Sequence, residues 1–226
     1  MKKESQTILA IVAHADDEAL GCGGTLARHA ANGDTVHIII MADGVTSRAA
    51  DAKREPRNNS CFKVAEMLGA QKPILMDLPD NKMDSVPLLD IVQKIEPVIF
   101  NLKPDIVYTH HGNDLNVDHV ITHKALLTVL RSLPGGFVKA IYAFEVLSST
   151  EWSSPHTGAP FVPDHYVDIS AHMEKKIQAL KAYHEEMRPF PHSRSYEAVQ
   201  ALAILRGAQS GLKAAESFST IRSFWR

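Results

Sequence analysis

The chain has 226 residues, 45% of them hydrophobic and 22% charged, with 24 Lys+Arg against 26 Asp+Glu for a net charge of −2. That length suits one large domain or two small ones with a substantial core. The charge balance excludes the basic surplus typical of nucleic-acid binders. The only two cysteines, Cys22 and Cys61, cannot build a disulfide framework or a zinc ribbon, and read as thiols of a reducing compartment.

From the N-terminus, Met1–Gln6 leads into the apolar run Ile8–Ala13. This run is too short for a signal sequence or a membrane span, so a soluble cytoplasmic protein is expected. Thr7–Ala13 reads as a strand, Ala19–Asn32 as a helix closed by Gly33, and Thr35–Ala42 as a strand buried on both faces. A polar loop, Asp43–Arg57, precedes a helix running to Leu68. Then come a strand at Pro73–Leu78, a helix at Pro87–Leu102, a strand at Asp105–His110 and a helix at Asp118–Ser132. Further strands are expected at Phe137–Val146 and Tyr166–Ser170, and helices at Ala171–Met187 and Tyr196–Gln209. Strands alternating with helices predict an α/β fold of one domain over residues 1–226. Its sheet is mostly parallel and twisted, with helices on both faces. Ligands of such sheets bind beyond the carboxyl ends of the strands. His14, Asp43, Asp80 and His110-His111 all fall on that rim.

The segment after the first strand, His14-Ala15-Asp16-Asp17-Glu18, gathers one imidazole and three carboxylates. Packing does not call for such a group, since carboxylates are rarely buried unless paired or metal-bound. A His and a carboxylate suit zinc, and a spare neighbouring carboxylate suits a general base. An acidic helix N-terminus is the simpler alternative. The second cluster runs from His110 to His119 and opens a helix. His119 with His14 and Asp17 would complete a facial His-Asp-His set with open positions, the pattern of a catalytic zinc. Asp118 either orients an imidazole or simply caps the helix. His111 and Asp114 are candidate substrate contacts in this loop. The loop Asp43–Arg48 is either substrate-facing or a plain turn. Arg57 sits at a helix start, an unfavourable place for a cation, which favours a ligand contact. Pro189–Ser195, carrying His192 and Arg194, could cap the site.

Other patterns fail on inspection. His119 and His123 have the spacing of H-E-x-x-H, but Val120 stands where the glutamate belongs, so His123 reads as packed or supporting. Gly21-Cys22-Gly23-Gly24 breaks the dinucleotide fingerprint at Leu26; these glycines suit close helix packing instead.

Together these residues resemble the PIG-L/LmbE family of zinc-dependent N-deacetylases. Ala13–Glu18 matches its A-H-[PA]-D-D-E motif and Asn116–His119 its [HN]-x-D-H motif. The likeness runs from about Thr7 to Phe218, including Ala215-Glu216-Ser217-Phe218. It implies a Rossmann-like fold and a Zn2+ ion (Fe2+ or Co2+ also fitting) on His14, Asp17 and His119. It further implies Asp16 as general base, Asp118 as an acid orienting a histidine, and Arg57 and Asp80 as substrate contacts. Asn116 departs from the common His; an amide stabilises an oxyanion but donates no imidazolium proton. The acid role would then pass to His111, His192 or Asp16 itself. The H-H-x-x-D-L-N-x-D-H and P-H-x-R-S patterns are similar to a branch linked to surface polysaccharides. The implied activity is deacetylation of an N-acetyl amino sugar, free or attached to a nucleotide or lipid. The implied partner is thus a small molecule, and the family hints at a homo-oligomer. The alternatives are an amidase for larger acyl or thiol-conjugate amides, and a non-catalytic sugar or nucleotide-binding module.

Overall fold

A computed structural model describes residues 4–47 and 54–225, the side chains of 54–57 excepted. Seven strands form one sheet: β1 (Thr7–Val12), β2 (Thr35–Ala42), β3 (Ile74–Leu78), β4 (Ile106–His110), β5 (Ala140–Phe144), β6 (His165–Asp168) and β7 (Ala215–Ser223). Their order is β3-β2-β1-β4-β5-β7-β6. The pairs from β3 to β5 are parallel, and β7 runs antiparallel to both β5 and β6. Among the described residues six α-helices accompany them: α1 (Asp17–Ala31), α2 (Arg54–Leu68), α3 (Leu88–Leu102), α4 (Val117–Val129), α5 (Met173–Ala182) and α6 (Tyr196–Ser210).

Strand residues point alternately to opposite faces. Along β1, Ile8, Ala10 and Val12 enter a core layer with Leu26 of α1, Val64 of α2 and Leu180 of α5. Leu9, Ile11 and Ala13 enter the opposite layer with Ile95 of α3 and Leu126 of α4. Two-sided burial is why this strand reads as an unbroken apolar run.

The order reverses between β1 and β4, the topological switch point where such sheets bind ligands. Both chemistry-bearing clusters leave the sheet there, one after β1 and one after β4.

Helix α1 is interrupted at Cys22 (φ −144°, ψ 17°). The buried Glu216 carboxylate caps the restarted helix, accepting from Gly24 N at 3.0 Å and Thr25 N at 2.6 Å. Lys176 Nζ reaches Glu216 Oε1 at 2.5 Å and Leu20 O at 2.7 Å, so the break carries a buried ion pair. Gly21, beside the break, lets α1 lie close on the sheet: a Cβ there would be 2.3 Å from the Phe144 ring.

Strand β7 was not anticipated, because Glu216 and the serines of Ala215–Ser223 mask its alternation. The chain also leaves helix α5 at Ala182, earlier than the expected Met187, and turns through Glu186 N donating to Tyr183 O.

Candidate metal and catalytic site

His14 follows β1, Asp17 opens α1 and His119 lies in the first turn of α4. His14 Nδ1 is 3.2 Å, and His119 Nε2 3.3 Å, from Asp17 Oδ2. One ligand atom from each lies within 4.8 Å of the others. All three residues are buried, and neither Asp17 Oδ1 nor His119 Nε2 makes a hydrogen bond among the described residues. Buried polar atoms are rarely left so, and two orphans in a His-Asp-His donor set fit a divalent cation.

Each imidazole is oriented through its other nitrogen, as in carboxylate–histidine–metal triads. His14 Nε2 donates to Asp118 Oδ2 at 3.1 Å, with Asp80 Oδ1 at 3.3 Å. His119 Nδ1 faces Asp114 Oδ1 at 3.1 Å and its ring stacks on His110, centroids 3.9 Å apart. His110 is itself fixed, its Nε2 accepting from Ala13 N at 2.8 Å. A second compact set, His14, Asp80 and Asp118, is a weaker cation site because its carboxylates are already engaged. Asp118 accepts from Asn81 N (2.7 Å) and Met83 N (3.0 Å), and Asp80 from Ser47 Oγ (2.5 Å) and Asn81 Nδ2 (3.2 Å).

Burial disfavours charge on His14, yet Asp118, Asp17 and Asp80 outweigh it and hold its pKa at about 10. His119 is likewise disfavoured by burial but held at about 9 by Asp17 and Asp114. Against its own burial, the His119, His110 and His14 imidazoles hold Asp17 well below the carboxylate range. In the metal-free protein His14 and His119 therefore take the positive charge the ion would bring, while burial holds His110 well below the usual imidazole range.

A cavity of about 290 Å³ opens at this point, lined by His14, Asp16, Ser47, Asp80, Asn81, Asn116, Glu186, Arg188 and Arg194. Asp16 enters it from a left-handed backbone (φ 133°), unusual for a non-glycine residue and common at functional sites. Its amide donates to Glu18 Oε2 at 3.1 Å, and Glu18 Oε1 accepts from Tyr183 Oη at 2.6 Å. Burial raises Glu18 to about 7 despite these bonds. Arg194 Nη1 reaches Asp16 Oδ2 at 2.8 Å.

The remaining expected residues divide. Asp80 and Asn116 line the cavity. Asn116, and not Asp118, caps α4: its Oδ1 accepts from Asp118 N at 2.9 Å, while Nδ2 donates to Asn81 Oδ1 at 3.1 Å. Asp114, expected to touch substrate, is instead buried behind His119, accepting from Ser149 Oγ and from Thr150 Oγ1 at 2.6 Å. His111 is turned away as well, its Nε2 on Ala159 O at 3.0 Å and its ring on Phe161. His192 packs against Trp152 and accepts from Arg194 N at 2.9 Å; neither His111 nor His192 lines the cavity. The Arg57 side chain and Arg48 lie outside the described residues. Asp43 forms a turn, accepting from Val45 N and Thr46 N, while Ser47 beyond it faces the cavity. His123 is packed, with Nδ1 on His110 O at 2.8 Å. Residues the sequence did not single out are Asn81, Glu186 and Arg188, which line the cavity beside Ser47 of the Asp43–Arg48 loop. All are ordinary polar surface types whose position only the fold reveals.

The family described as "PIG-L: GlcNAc-PI de-N-acetylase" matches residues 9–130, more than half of the chain and the part that carries both clusters. The chain belongs to the PIG-L family. Among its relatives is the "uncharacterized deacetylase YaiS" of Escherichia coli (strain K12), 28% identical over 182 residues that span 78% of this chain and 89% of that protein. Another is the 4-oxalmesaconate hydratase of Pseudomonas putida, 25% identical over 203 residues, 80% of this chain and 74% of that one. The N,N'-diacetylchitobiose deacetylase of Pyrococcus horikoshii superimposes with a TM-score of 0.77 over 96% of this chain and 84% of that one, at 19% identity. That likeness shows that the two chains share one α/β fold. No helix among the described residues is long and apolar enough to cross a membrane.

Proposed function

We propose that this PIG-L protein is a metal-dependent hydrolase removing the acetyl group from the amide nitrogen of an N-acetyl amino sugar. The observation that carries this reading is the buried His14–Asp17–His119 donor set with Asp16 beside it in a polar cavity. The family description and the deacetylase relatives support it. His14, Asp17 and His119 would hold Zn2+, with Fe2+ or Co2+ accommodated by the same donors. When bound, such an ion supplies Lewis acidity toward a carbonyl and lowers the pKa of water from about 15.7 to ~7.

The chain's own residues do the rest. Asp16 takes a proton from the attacking water. Asn116 Nδ2 donates to the oxygen that becomes negative as the acetamide carbon turns tetrahedral. Sugar hydroxyls meet Asp80, Ser47 and Asn81. His111 and His192 do not line the cavity, so Asp16 is the group that returns the proton to the departing nitrogen. The products are acetate and a free amine. Surface-polysaccharide or glycoconjugate synthesis, a cytoplasmic setting and a homo-oligomeric state complete the proposal.

The test is metal content and acetate release on wild type and Asp16→Asn, against N-acetylhexosamines and their nucleotide conjugates. Stoichiometric metal in both proteins, with acetate release lost in Asp16→Asn, supports the reading. Acetate release undiminished in Asp16→Asn would remove Asp16 as the base. The hydratase relative makes water addition without acetate the result that would replace deacetylation.

A further inference from the structure

Two separated segments close on the guanidinium of Arg194. Its Nη1 donates to Asp16 Oδ2 at 2.8 Å and its Nε to Ser148 Oγ at 2.6 Å. Both residues that receive it have left-handed backbones, Asp16 at φ 133° and Ser148 at φ 68°. Such conformations cost roughly 1–3 kcal/mol each in non-glycine residues and persist only where their surroundings fix them. The fixing contacts are present. Glu18 takes the Asp16 amide, and Glu151 Oε1 takes the Ser148 amide at 2.6 Å. Arg194 is pinned through its own main chain, its N donating to His192 Nδ1 at 2.9 Å and its O accepting from Arg188 N at 3.1 Å. The next residue, Ser195, caps α6, its Oγ accepting from Ala198 N at 3.0 Å.

We infer that Arg194 is a positioning residue for the general base, its guanidinium fixing the rotation of the Asp16 carboxylate in the cavity. The inference rests on the deacetylase reading, which makes Asp16 the base. Its physical ground is that the last torsion of an aspartate is broad and not set by rotamer preference. A carboxylate that must meet a proton in one geometry needs an external anchor. A guanidinium serves because its rigid fork contacts Asp16 and Ser148 together, which a single ammonium on a flexible stem does not reproduce. His192, in the loop that sequence inspection placed over the site, then acts one step further back, by holding the Arg194 amide.

The experiment compares wild type, Arg194→Ala and Arg194→Lys for metal stoichiometry, thermal midpoint, kcat and KM, and adds a crystal structure of each variant. Both variants are expected to keep full metal and a KM near wild type. Their kcat is expected to fall on the order of a hundredfold, the scale of an ångström-sized misplacement. Free guanidinium at sub-denaturing concentration should restore part of kcat in Arg194→Ala and none in Asp16→Asn. In the crystal structures the Asp16 carboxylate should be rotated or present in several orientations. Wild-type kcat in Arg194→Lys, or a loss confined to KM, would overturn the inference. If Arg194→Ala fails to fold, Arg194→Lys alone decides. If wild type itself releases no acetate, the deacetylase reading fails separately. The crystal structures then still decide the anchoring, and an Asp16 side chain unmoved in both variants overturns it.

Discussion

Replacing Asp114 with alanine removes the partner of His119 Nδ1 at 3.1 Å together with the acceptor for Ser149 Oγ, Thr150 Oγ1 and Asn116 N. His119 would keep its place in α4 but lose the contact that fixes its ring and leaves Nε2 to the metal. Loss of such an orienting carboxylate typically weakens metal binding 10–100-fold, or about 1.4–2.7 kcal/mol. The abandoned donors add a folding cost of roughly 1–3 kcal/mol for each that stays buried without a partner. The sign of the pH dependence follows from the carboxyl itself. His119, Ser149 and Thr150 overcome burial and lower its pKa from 3.8 to about 2. Its contribution to the metal-free protein is thus complete above pH 3.8 and lost as pH falls toward 2. Competition against a chromophoric chelator measures the affinity, and melting in the presence of a chelator measures the folding cost. Asp114→Asn, which keeps an acceptor but not the charge, should lie between wild type and Asp114→Ala. Unchanged metal affinity with a raised KM would refute this reasoning and return Asp114 to the substrate contacts.

Metal binding should release protons. With His14 at about 10 and His119 at about 9, both imidazoles are charged near neutrality and must lose their protons to ligate. Apparent affinity should therefore climb about a hundredfold per pH unit up to pH ~9, two protons leaving per ion. Calorimetry in buffers of different ionisation enthalpy counts them; a pH-independent affinity contradicts the assignment. By the same shifts, the stabilisation these imidazoles give the metal-free protein is complete below pH 6.5 and fades as pH rises through 9 and 10. Gly21→Ala forces a Cβ against the Phe144 ring, an overpacking worth about 1–3 kcal/mol. A Tm within a degree of wild type would show that the Phe144 ring gives way freely. Lys176→Met leaves Glu216 buried without its cation and should cost about 3–5 kcal/mol, with much of it recovered in Lys176→Met/Glu216→Gln. Denaturant melts of the three proteins check this.

The candidate metal ligands were legible because their chemistry is concentrated. His14 and Asp17 are neighbours in sequence, and His119 stands in a cluster that packing alone does not explain. The parallel sheet was legible from β1 and β2, whose two-sided burial demands continuous apolar runs. What stayed hidden depends on distance along the chain. Arg194 is marked locally by its loop and its P-H-x-R-S pattern, but its partner Asp16 lies 178 positions away, and nothing in the sequence joins the two. Asp114 and His111 share one loop and the same polar character, yet one turns behind His119 and the other toward Ala159. Strand β7 escaped because its buried glutamate is tolerable only with Lys176 and the α1 amides around it.

The break in α1 ties the beginning of the chain to its far end. All three candidate ligands are made by residue 119, but the amides that restart α1 wait for Glu216. On the ribosome, a nascent chain carrying every candidate ligand still lacks the strand whose Glu216 caps the restart of α1. Helix α1 is therefore completed late in synthesis, and a fragment ending before β7 would leave the Gly24 and Thr25 amides without the carboxylate that caps them.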